Sequence, residues 1–119
     1  MTTKEIADRL VALCRQGDFE KVQEELYAPD VVSIEPEASP AFEKETRGLE
    51  AILEKGRKFS SMVEKMNAIT ISEPLVASKS FCITMQLDAV MKGQGPMDMT
   101  ELCLYKVENG KIISEEFFM

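Results

Sequence analysis

The stretch Thr100–Met119, TELCLYKVENGKIISEEFFM, decides how the rest of the chain is read. Asn109-Gly110 at its centre is a strong hairpin signal, because both central residues of a type I′ turn need positive φ. With those two residues as the loop, Glu108 faces Lys111, Cys103 faces Glu116 and Glu101 faces Phe118. Side chains alternate between faces with a period of two. This register therefore places Glu101, Cys103, Tyr105, Val107, Ile112, Ser114, Glu116 and Phe118 on one surface. Two acids, Glu101 and Glu116, then sit diagonally adjacent among apolar neighbours, which is the pattern of a shaped site.

Upstream of the hairpin, the period of the apolar residues changes from about three and a half to two. Thr2-x-x-Glu5 has the form of a capping box, followed by Ile6, Leu10, Leu13 and Cys14 at helical spacing and by Gly17 as a stop. Asp18 is placed to cap a second short helix carrying Phe19, Val22 and Leu26, ended by Ala28-Pro29-Asp30. Val31 to Glu35 is strand-like, and the next dozen residues, with Pro36, Pro40 and Gly48, read as an irregular loop. From Leu49 to about Met66, Ile52, Gly56, Phe59, Met62, Val63 and Met66 recur every three or four residues, the spacing of a long amphipathic helix. Ala68 to Ser72, Val76 to Met91, Met97 to Val107 and Lys111 to Met119 are strand candidates. In the second of these, Phe81, Ile83, Met85, Leu87, Ala89 and Met91 form one apolar face. Helices first and an antiparallel meander afterwards give an α+β fold, one sheet curling around the long helix.

A chain of 119 residues is expected to form one domain spanning 1–119. It has 14 Lys and Arg against 21 Asp and Glu, a formal net charge of −7, which opposes binding to nucleic acid or to anionic membranes. With no apolar run long enough for a membrane span and no leader-like start, a cytoplasmic location is the expectation. The three cysteines, Cys14, Cys82 and Cys103, are odd in number and widely spaced, as expected of reduced core thiols. Histidine is absent, which removes His-based acids and bases, Ser-His and Cys-His nucleophiles and ordinary zinc sites; neither metal nor cofactor is expected.

The order helix, helix, strand, long helix and long antiparallel strands resembles the SnoaL-like families of the nuclear transport factor and ketosteroid isomerase-like superfamily. The residues that carry the resemblance are Leu26 to Pro36 after the helical pair, Gly48-Leu49-Glu50-Ala51-Ile52 with Lys55 a turn later, Glu101 to Val107 and Gly110 to Phe118. It implies a cone-shaped, cystatin-like roll around an open cavity, and pairing as a homodimer through the outer face of the sheet. The superfamily includes polyketide cyclases and ketosteroid isomerases, whose acid or base is commonly an Asp or His, as well as members that only bind or assemble. This chain has no histidine, and Asp88 stands in a long strand without a motif around it.

In such a cone the first strand neighbours the last, which brings Glu35 toward Glu116. Ile52, Lys55, Phe59, Met62 and Met66 form a stripe on the long helix, so Lys55 interrupts an apolar face and needs a partner, Glu35 or Glu101. Carboxylates sharing a partly dry cavity with a single ammonium cannot all ionise freely, and one of them is expected to titrate near neutrality. Such a group suits proton abstraction beside a carbonyl and return elsewhere, the step of isomerisation and of aldol-type ring closure. Glu43 and Glu115 read as solvated surface acids.

The expected site therefore has Glu35, Glu101 and Glu116 as candidate acids and bases. Lys55, Phe59, Met62, Met85, Tyr105 and Phe118 are its candidate substrate contacts. Its ligand is small and mainly apolar, with one or two oxygens. The alternative is a non-catalytic binding or assembly domain of the same fold, its Glu/Lys cluster purely structural. A third reading, regulation of another protein through the outer sheet face, predicts a larger exposed apolar surface.

Overall fold

The computed structural model describes residues 1–119. Helix α1 (Thr3–Arg15) opens with the expected capping box: the Thr2 hydroxyl accepts from the Glu5 amide, and the Glu5 carboxylate accepts from the Thr2 amide. Gly17, with φ of 77°, turns the chain into α2 (Phe19–Leu26). Strand β1 (Tyr27–Ile34) begins directly after that helix, four residues earlier than the β-branched run suggests. Pro29 and Asp30 lie on its exposed, irregular part, where no ladder hydrogen bond needs the missing proline N–H.

The remaining elements are β2 (Glu45–Arg47), α3 (Leu49–Met62), β3 (Val63–Ile71), β4 (Leu75–Val76), β5 (Ser80–Met91), β6 (Gly95–Glu108) and β7 (Lys111–Phe118). The sheet runs β2-β1-β7-β6-β5-β3, with β4 paired to β5. First and last strands are neighbours as expected, and they pair in parallel; every other pairing is antiparallel. Leu87 and Met85 share the face of Glu101, because Met85 pairs with Glu101 and Leu87 with Met99. Asp88 points the other way, into solvent.

The loop expected after β1 contains the short strand β2, and the expected strand from Val76 to Met91 is divided into β4 and β5. Two further differences from expectation share one physical reason, the β-bulge. The long helix ends at Met62 rather than near Met66, and the rest of the helical-looking pattern belongs to β3. Register shifts between Val63 and Lys65 and between Met66 and Ala68 insert extra residues into that strand. Its half-buried residues Val63, Met66 and Ile69 are therefore three apart, a spacing that imitates a helix.

The second difference is in the last hairpin. Glu108 pairs with Lys111 and Val107 with Ile112, but the next pair is Lys106 with Ser114, so Ile113 is an extra residue. Beyond this bulge every side chain of β7 has changed face: Glu115 is opposite Tyr105, Phe117 opposite Cys103 and Glu116 opposite Leu104. The expected inward set of Ser114, Glu116 and Phe118 is thus replaced by Glu115 and Phe117. Glu115, read from sequence as a surface acid, is 4% exposed, whereas Phe118 is 42% exposed.

The core takes more from α1 than from the long helix. Six α1 residues are buried, against Ile52 and Leu53 of α3. The rest of the inner side of α3, including Lys55 and Phe59, is only half-buried because it faces a hollow rather than packed side chains.

Candidate functional site

The hollow between α2, α3 and the concave face of the sheet has a volume of about 400 Å³. Most of its wall is hydrophobic, with the rings of Phe19, Phe42, Phe59, Tyr105 and Phe117 among the lining residues. Tyr105 is held by stacking on Phe81, ring centroids 4.9 Å apart. Of the residues singled out from sequence, Glu35, Glu101, Lys55, Phe59, Met85 and Tyr105 line this cavity. Glu116 and Phe118 lie on the opposite face of the sheet because of the Ile113 bulge. Met62, the last residue of α3, lies outside the lining.

One hydrogen-bonded chain crosses the cavity floor from three different elements. The Lys55 ammonium lies 2.6 Å from a Glu35 carboxylate oxygen and donates to Ser33 Oγ at 3.0 Å. Ser33 Oγ donates to Glu115 Oε2 at 2.6 Å, and the Tyr27 hydroxyl donates to Glu115 Oε1. No buried side-chain polar atom is left without a partner. The Lys55 ammonium also stands 5.7 Å from the centre of the Phe117 ring, within cation–π range. The cation in the apolar stripe therefore meets Glu35, one of the two expected partners, rather than Glu101, and reaches Glu115 only through Ser33.

Glu115 is the residue that the sequence reading missed, and Ser33 and Tyr27 were missed with it. Burial holds the Glu115 carboxyl above its ordinary range, while donation from Ser33 and Tyr27 and the Lys55 charge act the other way. Both its oxygens are occupied, so it anchors β1 to β7 in a fixed geometry. A small polar residue at Ser33, in phase with buried Val31, was the only local signal for a hydrogen bond on that face.

Glu101 differs in kind. Apart from the Cys103 thiol 4.0 Å away, no hydrogen-bond partner meets its carboxyl. Burial first, and then the nearby Glu35 and Glu115, push its pKa up to about 7, and Lys55 pulls the other way. The cysteines show the opposite of activation. Burial raises the Cys14 thiol to about 12, and Cys103 is pushed higher still by burial and by Glu101, so neither is a nucleophile at neutral pH. The arrangement thus places one half-free carboxyl poised near neutrality in an aromatic-walled hollow, beside a fixed ionic chain.

The SnoaL-like domain family matches residues 1–119, and the chain belongs to that family. A protein from Mesorhizobium loti, described as a candidate SnoaL-like polyketide cyclase, is 31% identical and superimposes with a TM-score of 0.92 over 100% of both chains. At lower identity the likeness is one of fold. A ketosteroid isomerase-like protein from Catenulispora acidiphila, solved in complex with trimethylamine, is 20% identical with a TM-score of 0.74, covering 99% of this chain and 87% of that one. TerC, co-crystallised with polyporic acid, is 16% identical with a TM-score of 0.75, covering 97% and 88%. No curated protein matches the chain. No helix is long and apolar enough to cross a membrane.

Proposed function

We propose that the cavity binds a small, mainly apolar molecule bearing one or two oxygens and moves a proton on it, in the manner of an isomerase or cyclase. The observation that carries this reading is Glu101: a carboxyl half-buried in the cavity wall, without a strong hydrogen-bond partner, whose burial beside Glu35 and Glu115 pushes its pKa up to about 7. Such a group is protonated or ionised in comparable amounts at neutral pH, so it can give a proton to a carbonyl oxygen or take one from the adjacent carbon. Glu35, paired with Lys55, supplies a second carboxylate at the cavity wall. Glu115 has both oxygens occupied and holds the floor. Phe59, Met85 and Tyr105 form the apolar wall against which the ligand's rings would lie. The description of the Mesorhizobium relative as a candidate polyketide cyclase, and the organic molecules bound to TerC and to the Catenulispora protein, support a small-molecule site. Pairing as a homodimer through the outer sheet face, where Leu102 and Phe118 are exposed, accompanies this reading.

The test is deuterium exchange into 2-tetralone, an apolar ketone with acidic α-hydrogens, followed by NMR in D2O. Exchange above the buffer rate is expected with the native protein. Glu101→Gln should lower it by about 10² or more, the usual contribution of a general acid or base. No exchange above buffer, or an unchanged rate in Glu101→Gln, would show the reading to be wrong. A second reading, a binding or assembly domain without turnover, draws on the Lys55–Glu35 pair itself, since such a pair can serve structure alone.

A further inference from the structure

A second hollow of about 430 Å³ adjoins the first on the outer side of α3. Its lining consists of Ala41, Glu43, Thr46, Ala51, Glu54 and Lys58, together with Phe42 and Lys55. The last two also line the inner cavity, so the hollows meet at those two side chains. Phe42 belongs to the segment between β1 and β2, whose base is closed by the Glu35 amide donating to the Lys44 carbonyl at 2.7 Å. Its tip is a tight turn: the Ser39 amide donates to the Phe42 carbonyl, and the Phe42 amide to Ser39 Oγ. Lys58 of α3 ties this turn to the body, its ammonium donating to the Ala41 carbonyl and standing 5.2 Å from the centre of the Phe42 ring.

We propose that Phe42 is a partition between two halves of one binding groove, so that the site takes an elongated ligand with its ring end inside and an uncharged polar end outside, over the first turns of α3. The inner half rests on the reading given above; the outer half is argued from its own lining. Two glutamates and two lysines leave the outer hollow with no net charge, so it attracts neither a phosphate nor an ammonium end in particular. Apolar Ala41, Ala51 and Phe42 with the Thr46 hydroxyl among the lining residues suit a chain of ether, hydroxyl or amide groups. A molecule confined to the inner cavity would leave this outer wall wet, whereas one spanning both would bury it and gain affinity.

The experiment compares two probes by quenching of naphthol fluorescence: 2-naphthol, and 2-naphthol carrying a tri(ethylene glycol) ether at C6. The tailed probe is expected to bind the native protein about 10-fold more tightly than 2-naphthol. Ala51→Trp, at an exposed helix position, should erase that advantage while leaving 2-naphthol unchanged; Ala51→Leu should erase part of it. Equal affinities of the two probes for the native protein, or an advantage that survives Ala51→Trp, would overturn the two-part groove. Failure of 2-naphthol itself to bind would instead remove the inner site, and the outer half with it.

Discussion

Glu115 stands opposite Tyr105 on the concave side of the last hairpin, while its neighbour Glu116 stands opposite Leu104 on the convex side. One inserted residue, Ile113, separates these fates, and their consequences for stability should differ accordingly. Glu115→Ala strands the Tyr27 and Ser33 hydroxyls in a buried site and is expected to cost about 2–4 kcal/mol. Glu116→Ala touches neither and should fall within about 0.5 kcal/mol of the native protein. Urea unfolding of the two variants checks this. Similar losses in both would mean that the bulge does not set the orientation of Glu115.

The same bulge explains how far the sequence could be read. The order of the main helices and strands, the α1 capping box, the inward face of β5 and an acidic partner for Lys55, Glu35 being one of the two expected, were legible because each depends on period, turn chemistry or charge pairing that the local residues carry. The adjacency of β1 and β7, by contrast, followed from the family resemblance, and its parallel direction was not expected. Glu101 was legible because β6 alternates regularly up to its pairing with Met85. What misled was phase. A β-bulge has no strong sequence mark, yet it shifts every later side chain by one face. In β7 it exchanged Glu116 for Glu115, and in β3 two register shifts made strand residues recur every three positions, as a helix would. Ser33 and Tyr27 were missed for the same reason: their partner had been placed on the wrong side.

The turn that anchors this hairpin can be tested directly. Asn109 and Gly110 have φ of 51° and 74°, the left-handed conformation that a two-residue hairpin loop requires. A Cβ at position 110 meets Met1 backbone atoms only at ordinary contact distance, so Gly110→Ala is costly through its backbone alone, about 1 kcal/mol. Asn109→Asp should be nearly neutral, since Asp tolerates the same conformation. Thermal denaturation distinguishes the two, and an equal loss in both would contradict the turn assignment.

Lys55 and Glu35 act on Glu101 with opposite signs. Replacing Glu35 with Gln removes a charge that raises the Glu101 pKa, and replacing Lys55 with Met removes one that lowers it. The Glu101 carboxyl, followed by carbon-13 NMR, should therefore titrate below about 7 in Glu35→Gln and above it in Lys55→Met. Stability follows another rule. Lys55→Met alone leaves Glu35 and Ser33 without their donor and should cost about 1–3 kcal/mol, whereas the double variant should recover most of that loss. Shifts in the same direction would show that neither charge faces Glu101 as described.

Glu101 also fixes how stability should depend on pH. Its pKa rises from 4.5 to about 7 on folding. Below about pH 4.5 the carboxyl is protonated in both the folded and the unfolded chain. Between there and about 7 the unfolded chain sheds the proton that the folded one retains, so ionisation favours unfolding. The stabilisation is thus complete in acid and is lost as pH rises through this window, with a slope of at most about 1.4 kcal/mol per pH unit, and it is flat above. Glu115, whose pKa is raised by burial, adds a slope of the same sign, so the decisive quantity is a difference between proteins. Glu101→Gln cannot ionise. Subtracting its unfolding free energy from that of the native protein should leave a term that declines between pH 4.5 and 7 and vanishes as a slope above pH 8. A difference that is level across that range, or one that grows with pH, would place the Glu101 carboxyl in water rather than in the cavity wall.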